Sequence, residues 1–266
     1  MPYDKSTPTV TRRPIWTGSI SIGLVNVPVR LLTMTRDHSV PFRLLHRADG
    51  QPIRYQRVCV RDNQVVPWED IVRGYEVDKG EFVVFENEEL DAVKPESDRK
   101  IRLEKFVPTL AIDPVFFNTS YLLVPDRSDE AYSLLLAAFR KMGRAGVGMV
   151  TLRTKEYPAL VRDYHEALIL TTLHYADEIV NPPDFEEIQR LSQPPEKELR
   201  IAEKIIGDLT GDLDVTEFRD SYRERVHELI EKKREGKTII IEKPAAEEAR
   251  ELMDALQETL ARLRKP

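Results

Sequence analysis

The 266-residue sequence has one cysteine, Cys59, which excludes an internal disulfide framework and any zinc or iron–sulfur site built on several thiolates. Glycine is scarce, 11 residues against 18 prolines, which predicts stiff connections between elements. No stretch approaches the roughly 18 uninterrupted apolar residues of a membrane-spanning helix. Residues 1–14 are polar and hold Pro2, Pro8 and Pro14 where a secretory signal would be apolar. Phosphate-binding loops of the GxxxxGK[ST] or GxGxxG type are missing, as is a GxSxG nucleophile elbow. These absences predict a soluble, cytoplasmic protein with no membrane partner and no nucleotide-driven chemistry. At about 150 residues per domain the chain holds one large domain or two modest ones.

What is abundant is charge. Asp, Glu, Lys and Arg make up 32% of the chain, with 40 cations against 46 acids for a net −6. That balance opposes simple nucleic-acid binding, but the charge is unevenly placed. Residues 1–61 carry ten Lys/Arg against Asp4, Asp37 and Asp49, a local +7, so the remaining 205 residues carry −13. Residues 140–162 carry six cations against Glu156 alone, a local +5. Opposed fields on one molecule suit a polyanion held on one side while the rest stays soluble.

The front half reads as strands. Trp16, Gly18, Ile20 and Ile22 alternate with Thr17, Ser19 and Ser21. The phase slips at Gly23-Leu24, a bulge or sharp bend, and resumes in Val25, Val27, Val29 and Leu31. Pro28 predicts an edge or bulged strand there. Further strands are expected at 40–46, 53–60, 81–85, 101–107, 121–124, 147–153 and 167–173. Many short strands with few helices between them favour an antiparallel barrel or sandwich. One helix is expected from an N-cap at Ser128, with Ala131, Leu134, Leu135, Ala138, Phe139 and Met142 as its core stripe and Gly143 as its stop.

After Asn181-Pro182-Pro183 the chain turns charged and helical. Asp214 and Glu217 resemble a capping box ahead of a stripe of Phe218, Tyr222, Val226, Leu229 and Ile230 that ends at Gly236. A short strand is expected at 238–241. A last amphipathic helix (Ala249, Leu252, Met253, Leu256, Leu260, Leu263) should dock on the body or on a partner.

One histidine neighbourhood is worth weighing as a metal-dependent hydrolase: Asp163, His165, His174 and Asp177. A structural histidine with a carboxylate partner is the simpler reading. Cys59 is expected to be an inert, partly buried thiol. The basic segments lack interleaved aromatics, so their arginines suit phosphates of a duplex, without sequence recognition.

Between residues 12 and 180 several ordered segments resemble the prokaryotic Ku family: 14–29 (PIWTGSISIGLVNVPV), 42–46 (FRLLH), 53–59 (IRYQRVC), 69–76 (EDIVRGYE), 112–117 (IDPVFF), 121–125 (YLLVP) and 173–178 (LHYADE). Residues 218–237 resemble the family's short C-terminal region. The resemblance implies a mixed α+β fold. It has an antiparallel β-barrel core of the Ku, SPOC-like kind at 14–182, with an extended arm that pairs with a second copy. A flexible N-terminus at 1–13 and a helical C-terminal region at 183–266 flank it.

It further implies a non-enzymatic, nucleoid-associated homodimeric ring that threads onto double-stranded DNA ends. The ring would recruit an ATP-dependent DNA ligase for non-homologous end joining, with no catalytic residue, metal or cofactor. Local charge then selects the barrel's Arg30, Arg36, Arg43, Arg54 and Arg57 and the arm's Arg140, Lys141, Arg144, Arg153 and Lys155 as phosphate contacts. The ligase is placed at 214–237, on Phe218, Tyr222, Arg223 and Arg225. Two departures from the family stand out. Some relatives carry a second cysteine three residues after the first, where this chain has Asp62. The lysine-rich tail of some bacterial relatives has no counterpart among the last residues, Arg262, Arg264 and Lys265, so binding of ends by the core is expected. A barrel scaffold that binds only proteins is the alternative.

Overall fold

A computed structural model describes residues 13–95, 98–236 and 252–263. By its internal contacts the chain divides into two compact units, one of Met1–Asp37 with Leu44–Val180, the other of His38–Arg43 with Asn181–Pro266.

The first unit is built on a closed barrel of seven strands: β1 (Trp16–Ile22), β2 (Val25–Thr33), β5 (Lys100–Pro108), β6 (Phe117–Pro125), β7 (Arg144–Leu152), β8 (Lys155–Tyr164) and β9 (Ala167–Leu173). Around the barrel they run β1-β2-β6-β9-β8-β7-β5. Strands that alternate in direction cannot close an odd-numbered ring without one parallel pair. That pair is β1 with β5, in register Ser19↔Lys100, Ile20↔Ile101 and Ser21↔Arg102. The antiparallel expectation holds for every other pairing.

Alternation sorts the strands. Ile20, Val27, Val29, Leu31, Ile101, Leu103, Leu123, Val150, Ala159, Val161, Leu168 and Leu170 point into one buried core. The phase slip at Gly23-Leu24 is a two-residue hairpin turn, with Ile22 paired to Val25 and Gly23 supplying a φ of +58°. Where β5 bulges between Leu103 and Lys105 it presses on β7, and a Cβ on Gly148 would stand 1.6 Å from the Arg102 carbonyl oxygen.

Pro28 sits inside the barrel wall, not at an edge, and the registers explain how. Its partner Ser19 turns its N–H to Arg99, so Pro28 faces β6, and the β2–β6 ladder begins only at Val29↔Pro125. The missing donor therefore meets no acceptor, while the Pro28 carbonyl accepts from Asp126 N–H (3.1 Å) and the Ser128 hydroxyl (2.5 Å). That hydroxyl is thereby taken from its expected N-cap role on α2 (Asp129–Met142), whose side-chain cap bond is absent. Gly143 ends α2 as expected. The buried stripe is Tyr132, Leu135, Leu136 and Phe139 against the barrel core, and Leu134 and Met142 face solvent. The Tyr132 hydroxyl donates to Leu123 O (2.7 Å) and accepts from Leu168 N–H (2.8 Å), bridging β6 and β9 where those residues are register partners.

Between β2 and β5 the chain leaves the barrel. Residues 44–99 carry β3 (Arg73–Asp78), β4 (Glu81–Phe85) and α1 (Asn87–Ala92), and none of those described is buried. The strands expected at 40–46 and 53–60 do not form. Only the isolated bridges Leu45↔Pro52 and Val58↔Val65 pair these extended stretches, whose Pro41 and Pro52 offer no ladder donor. β3 and β8 were not among the expected strands. β8 contains Pro158, which is tolerated one residue outside the ladder with β9 that starts at Ala159↔Thr172.

The second unit holds α3 (Glu186–Gln189), α4 (Glu196–Leu209), α5 (Ser221–Arg234) and α6 (Leu252–Leu263). Asp214 caps only a single 3-10 turn, and α5 starts later, capped by Asp220, whose carboxylate accepts from Arg223 N–H at 3.0 Å. The last helix docks on α4 of the same unit, with Met253, Leu256 and Leu260 half-buried. The N-terminal residues 1–12, the strand at 238–241 and Ala249 lie outside the described residues.

Candidate functional site

The outer surface of the barrel has two unlike halves. On β7, β8 and β9 the outward side chains Ala145, Leu160 and Leu173 are buried beneath Ile112 and Phe116. On β1, β2 and β5 the outward positions include Thr17, Ser19, Ser21, Asn26, Pro28, Arg30, Lys100 and Arg102, aligned across the sheet by Thr17↔Arg30, Ser21↔Asn26, Ser19↔Lys100 and Ser21↔Arg102. Leu32 follows further along β2, and the exposed Glu104 lies at the β5 bulge. Small hydroxyls and an amide allow close approach of a ligand backbone, and three cations flank them. Arg30 pairs with Asp126 (3.6 Å) and Arg102 with Asp98 (2.7 Å), while Lys100 has no ion pair among the described residues. Lys100 and Arg102 escaped the charge-based reading because they lie outside both basic stretches. The strict alternation of Thr17, Ser19 and Ser21 was the signal that marked this face.

The ten cations singled out by local charge do not form one patch. Arg30 lies in β2 and Arg36 just beyond its end; Arg43 belongs to the second unit. Arg54 and Arg57 are in the 44–99 excursion and not in the barrel, and the Arg57 guanidinium stacks 4.6 Å over the Trp68 ring. Conversely the five cations expected on an arm lie on the barrel strands β7 and β8, the turn between them and the adjoining helix α2. Arg140 and Lys141 occupy the last turn of α2, where cations complement the helix dipole, and Arg144 opens β7. Arg140 binds the His165 carbonyl and lies 3.6 Å from Glu166. Arg153 forms the β7–β8 turn and Lys155 opens β8, at the other end of the barrel. Nine steps of about 3.3 Å put Arg144 and Arg153 roughly 30 Å apart.

Lys155 is committed to a local cluster. Its Nζ donates to Glu178 Oε1 at 3.0 Å and lies 5.2 Å from the Tyr157 ring and 6.0 Å from the Tyr175 ring. Glu178 also accepts from Tyr175 N–H (3.0 Å) and contacts His174 Nδ1 (3.3 Å). The Lys155 hydrogen bond, then the backbone one, hold the Glu178 carboxyl down at about 2. Glu178 in turn raises the Lys155 pKa.

The hydrolase constellation does not assemble. His165 lies in the turn before β9 beside Asp163, whereas His174 and Asp177 follow the far end of the same strand. No group of three or more His, Cys, Asp and Glu suited to a metal occurs among the described residues. Cys59 is half-buried, as expected. On the ligase candidates the expected stripe breaks up. Val226 is buried, but Phe218 is 73% and Tyr222 67% exposed, Arg223 is half-buried and Arg225 exposed.

Comparison with known proteins decides the family. Residues 21–201 match the family model described as the Ku70/Ku80 beta-barrel domain. The chain belongs to the Ku family. It is 43% identical over 259 residues to a non-homologous end joining protein Ku of Anaeromyxobacter sp. (strain K), covering 95% of this chain and 86% of that protein. It is 35% identical over 249 residues to the protein of that name from Archaeoglobus fulgidus (93% and 98% covered), and 34% identical over 257 residues to that of Bacillus subtilis (95% and 83%). No helix among the described residues is long and apolar enough to cross a membrane.

Proposed function

We propose that this Ku-family chain binds the ends of double-stranded DNA without sequence preference and serves their repair by non-homologous end joining, as a binding protein and not an enzyme. The observation that carries the reading is the two-sided barrel: on β7, β8 and β9 an apolar patch of Ala145, Leu160 and Leu173 is covered by Ile112 and Phe116, and on β1, β2 and β5 Thr17, Ser19, Ser21 and Asn26 stand among Arg30, Lys100 and Arg102. Hydroxyls, amides and cations are the groups that hold phosphates and sugars, and they read no bases.

The finer parts of the proposal rest on exposed surfaces. The β3–β4 sheet carries Tyr75 and Val83 on one face and Phe82 and Val84 on the other, all exposed. A two-stranded sheet with no buried face is marginal alone, and a second copy supplies the missing cover. Two copies closed through these excursions form a ring, with Arg36, Arg43, Arg54, Arg57, Arg140, Lys141, Arg144 and Arg153 as further phosphate contacts. Lys155 joins them only when Glu178 releases it. Exposed Phe218, in the extended stretch just before α5, and Tyr222 in its first turn, beside Arg223 and Arg225, form the surface offered to an ATP-dependent ligase. Such a protein works in the cytoplasm at the nucleoid.

The test compares one duplex as a linear fragment and as a covalently closed circle at about 0.05 and 0.2 M salt. The expected result is strong preference for the linear form, weakened by salt as counterions compete for phosphates. Equal binding to both forms would replace threading by a surface patch. Binding that is absent or salt-independent would favour a protein-only scaffold.

A further inference from the structure

The end of the barrel at which β1, β7 and β9 start or finish next to the β7–β8 turn holds a cleft of about 150 Å³ lined by Ile15, Trp16, Tyr121, Leu152, Arg153 and Tyr157. Its walls are unusual for this barrel. Three of the six residues are aromatic, from β1, β6 and β8, each also packed in part against the barrel core, and Arg153 adds a guanidinium at the rim. Arg153 forms no ion pair with a described residue, and it holds a φ of +58° in a two-residue turn where Gly or Asn is the unstrained choice. Asn63, Arg99, Arg127 and His165 hold the same region elsewhere in the chain, so the turn places the guanidinium at the lip of the cleft without by itself marking a site. The Trp16 Nε1 is buried with no acceptor among the described residues, which leaves the site one donor short of satisfied.

The volume is below the roughly 300 Å³ of a site for a drug-sized molecule, so it admits one planar ring system, and a sugar and phosphate attached to that ring would lie outside it at the rim. Aromatic rings, an indole donor and a cation together match a planar heterocycle that carries acceptors and a negative charge. Bases stack on aromatic side chains whatever their identity, because every base has a π-face. Mouths of β-barrels are among the places where small ligands bind.

We propose that this barrel mouth binds a single nucleotide, its base among Trp16, Tyr121 and Tyr157 and its phosphate at Arg153. The nucleotide can be free or be an unpaired nucleotide on a DNA strand. Only the second source rests on the end-binding reading above, and the two are separated by the experiment.

With the full chain, quenching of tryptophan fluorescence is followed on titration with dAMP, with deoxyadenosine, and with a duplex bearing a one-nucleotide 3′ overhang against its blunt counterpart. Saturable quenching by dAMP is expected, about tenfold weaker in Arg153→Ala, with deoxyadenosine changed less than twofold by that substitution. Arg153 is exposed, so the variant folds, and a loss equal for nucleotide and nucleoside would remove the phosphate from the site. Tyr121→Leu should weaken dAMP at least fivefold while Tyr121→Phe, which keeps the ring, binds like the unsubstituted chain. Weakening by both alike would make the tyrosine a packing residue and overturn the stacking assignment. Preference for the overhang that disappears in Tyr121→Leu, with blunt-duplex binding retained, identifies the strand as the source. Quenching by dAMP without overhang preference identifies the free nucleotide. No saturable quenching by any probe overturns the proposal, even if blunt duplex binds well; loss of duplex binding with dAMP binding intact overturns the end-binding reading instead.

Discussion

Single residues in this protein do work that local sequence does not announce. Tyr132 is the clearest case: its hydroxyl stands between Leu123 O and Leu168 N–H, and burial pushes its pKa up. Tyr132→Phe leaves two buried backbone groups unpaired, so it should destabilise by about 2 kcal/mol. Urea unfolding checks this; an unchanged midpoint would mean that the strands close directly on each other. The Glu178 cluster makes a second prediction. Its carboxyl sits at about 2 instead of 4.5, so it stabilises the fold fully above 4.5, and that contribution is lost as pH falls through about 2. Lys155→Met should return Glu178 toward its ordinary range and flatten that part of the acid-unfolding curve. A carboxyl titration of Glu178 unmoved by Lys155→Met would show that the Tyr175 N–H dominates. Local charge marks Lys155 as a phosphate contact, but nothing in the sequence shows that Glu178, 23 positions on, folds back onto it.

At the scale of elements, a buried face helps to make a strand legible but does not decide it: β4 was expected although it has no buried face, and β8, which has one, was not. The alternation from Trp16 to Leu31 gives both β1 and β2 and the turn between them, because Trp16, Ile20, Ile22, Val27, Val29 and Leu31 meet the barrel core, while Leu24 and Val25 at the turn are exposed. The apolar residues of 53–60 read the same way, yet Tyr55, Val58 and Val60 are exposed and find no ladder. Periodicity records that a surface is to be covered and not by what. β8 was hidden by Pro158, whose tolerance depends on where a neighbouring ladder ends. The polar outer face of β1 was visible as Thr17, Ser19 and Ser21; its partners Lys100 and Arg102 became neighbours only through the parallel β1–β5 pairing.

Two predictions belong to the excursion between β2 and β5. Tyr75→Glu with Phe82→Glu, on opposite faces of β3–β4, should convert the proposed dimer to monomer by light scattering at micromolar concentration. Arg54→Glu with Arg57→Glu should weaken linear-duplex binding at least tenfold and lower the slope of log affinity against log salt by about 2, with the dimer intact. An unchanged affinity would remove both arginines from the interface.

For the whole molecule the uneven charge is the organising fact. A chain of net −6 whose first 61 residues carry +7 must place its acids elsewhere: residues 62–185 carry 23 acids against 14 cations, a local −9, and residues 186–266 carry 20 against 16, a local −4. A polyanion is then attracted to one part of the chain and repelled by another, which restricts how it can be held without any base contact. The C-terminal region, at a net −4, offers a polyanion no overall attraction, so it should be dispensable for grip and available for a partner. The last helix tests that separation, because α6 lies against α4 inside its own unit. A chain ending after Pro244 loses that cover and exposes the apolar side of α4, so the C-terminal unit should melt earlier and the truncated protein should associate more readily. Linear-duplex affinity, measured at the same salt, should stay within about twofold of the full chain. A still-folded, still-dimeric truncation that no longer bound duplex would show that the last helix shapes the DNA-holding surface, and the division of labour argued from charge would fail with it.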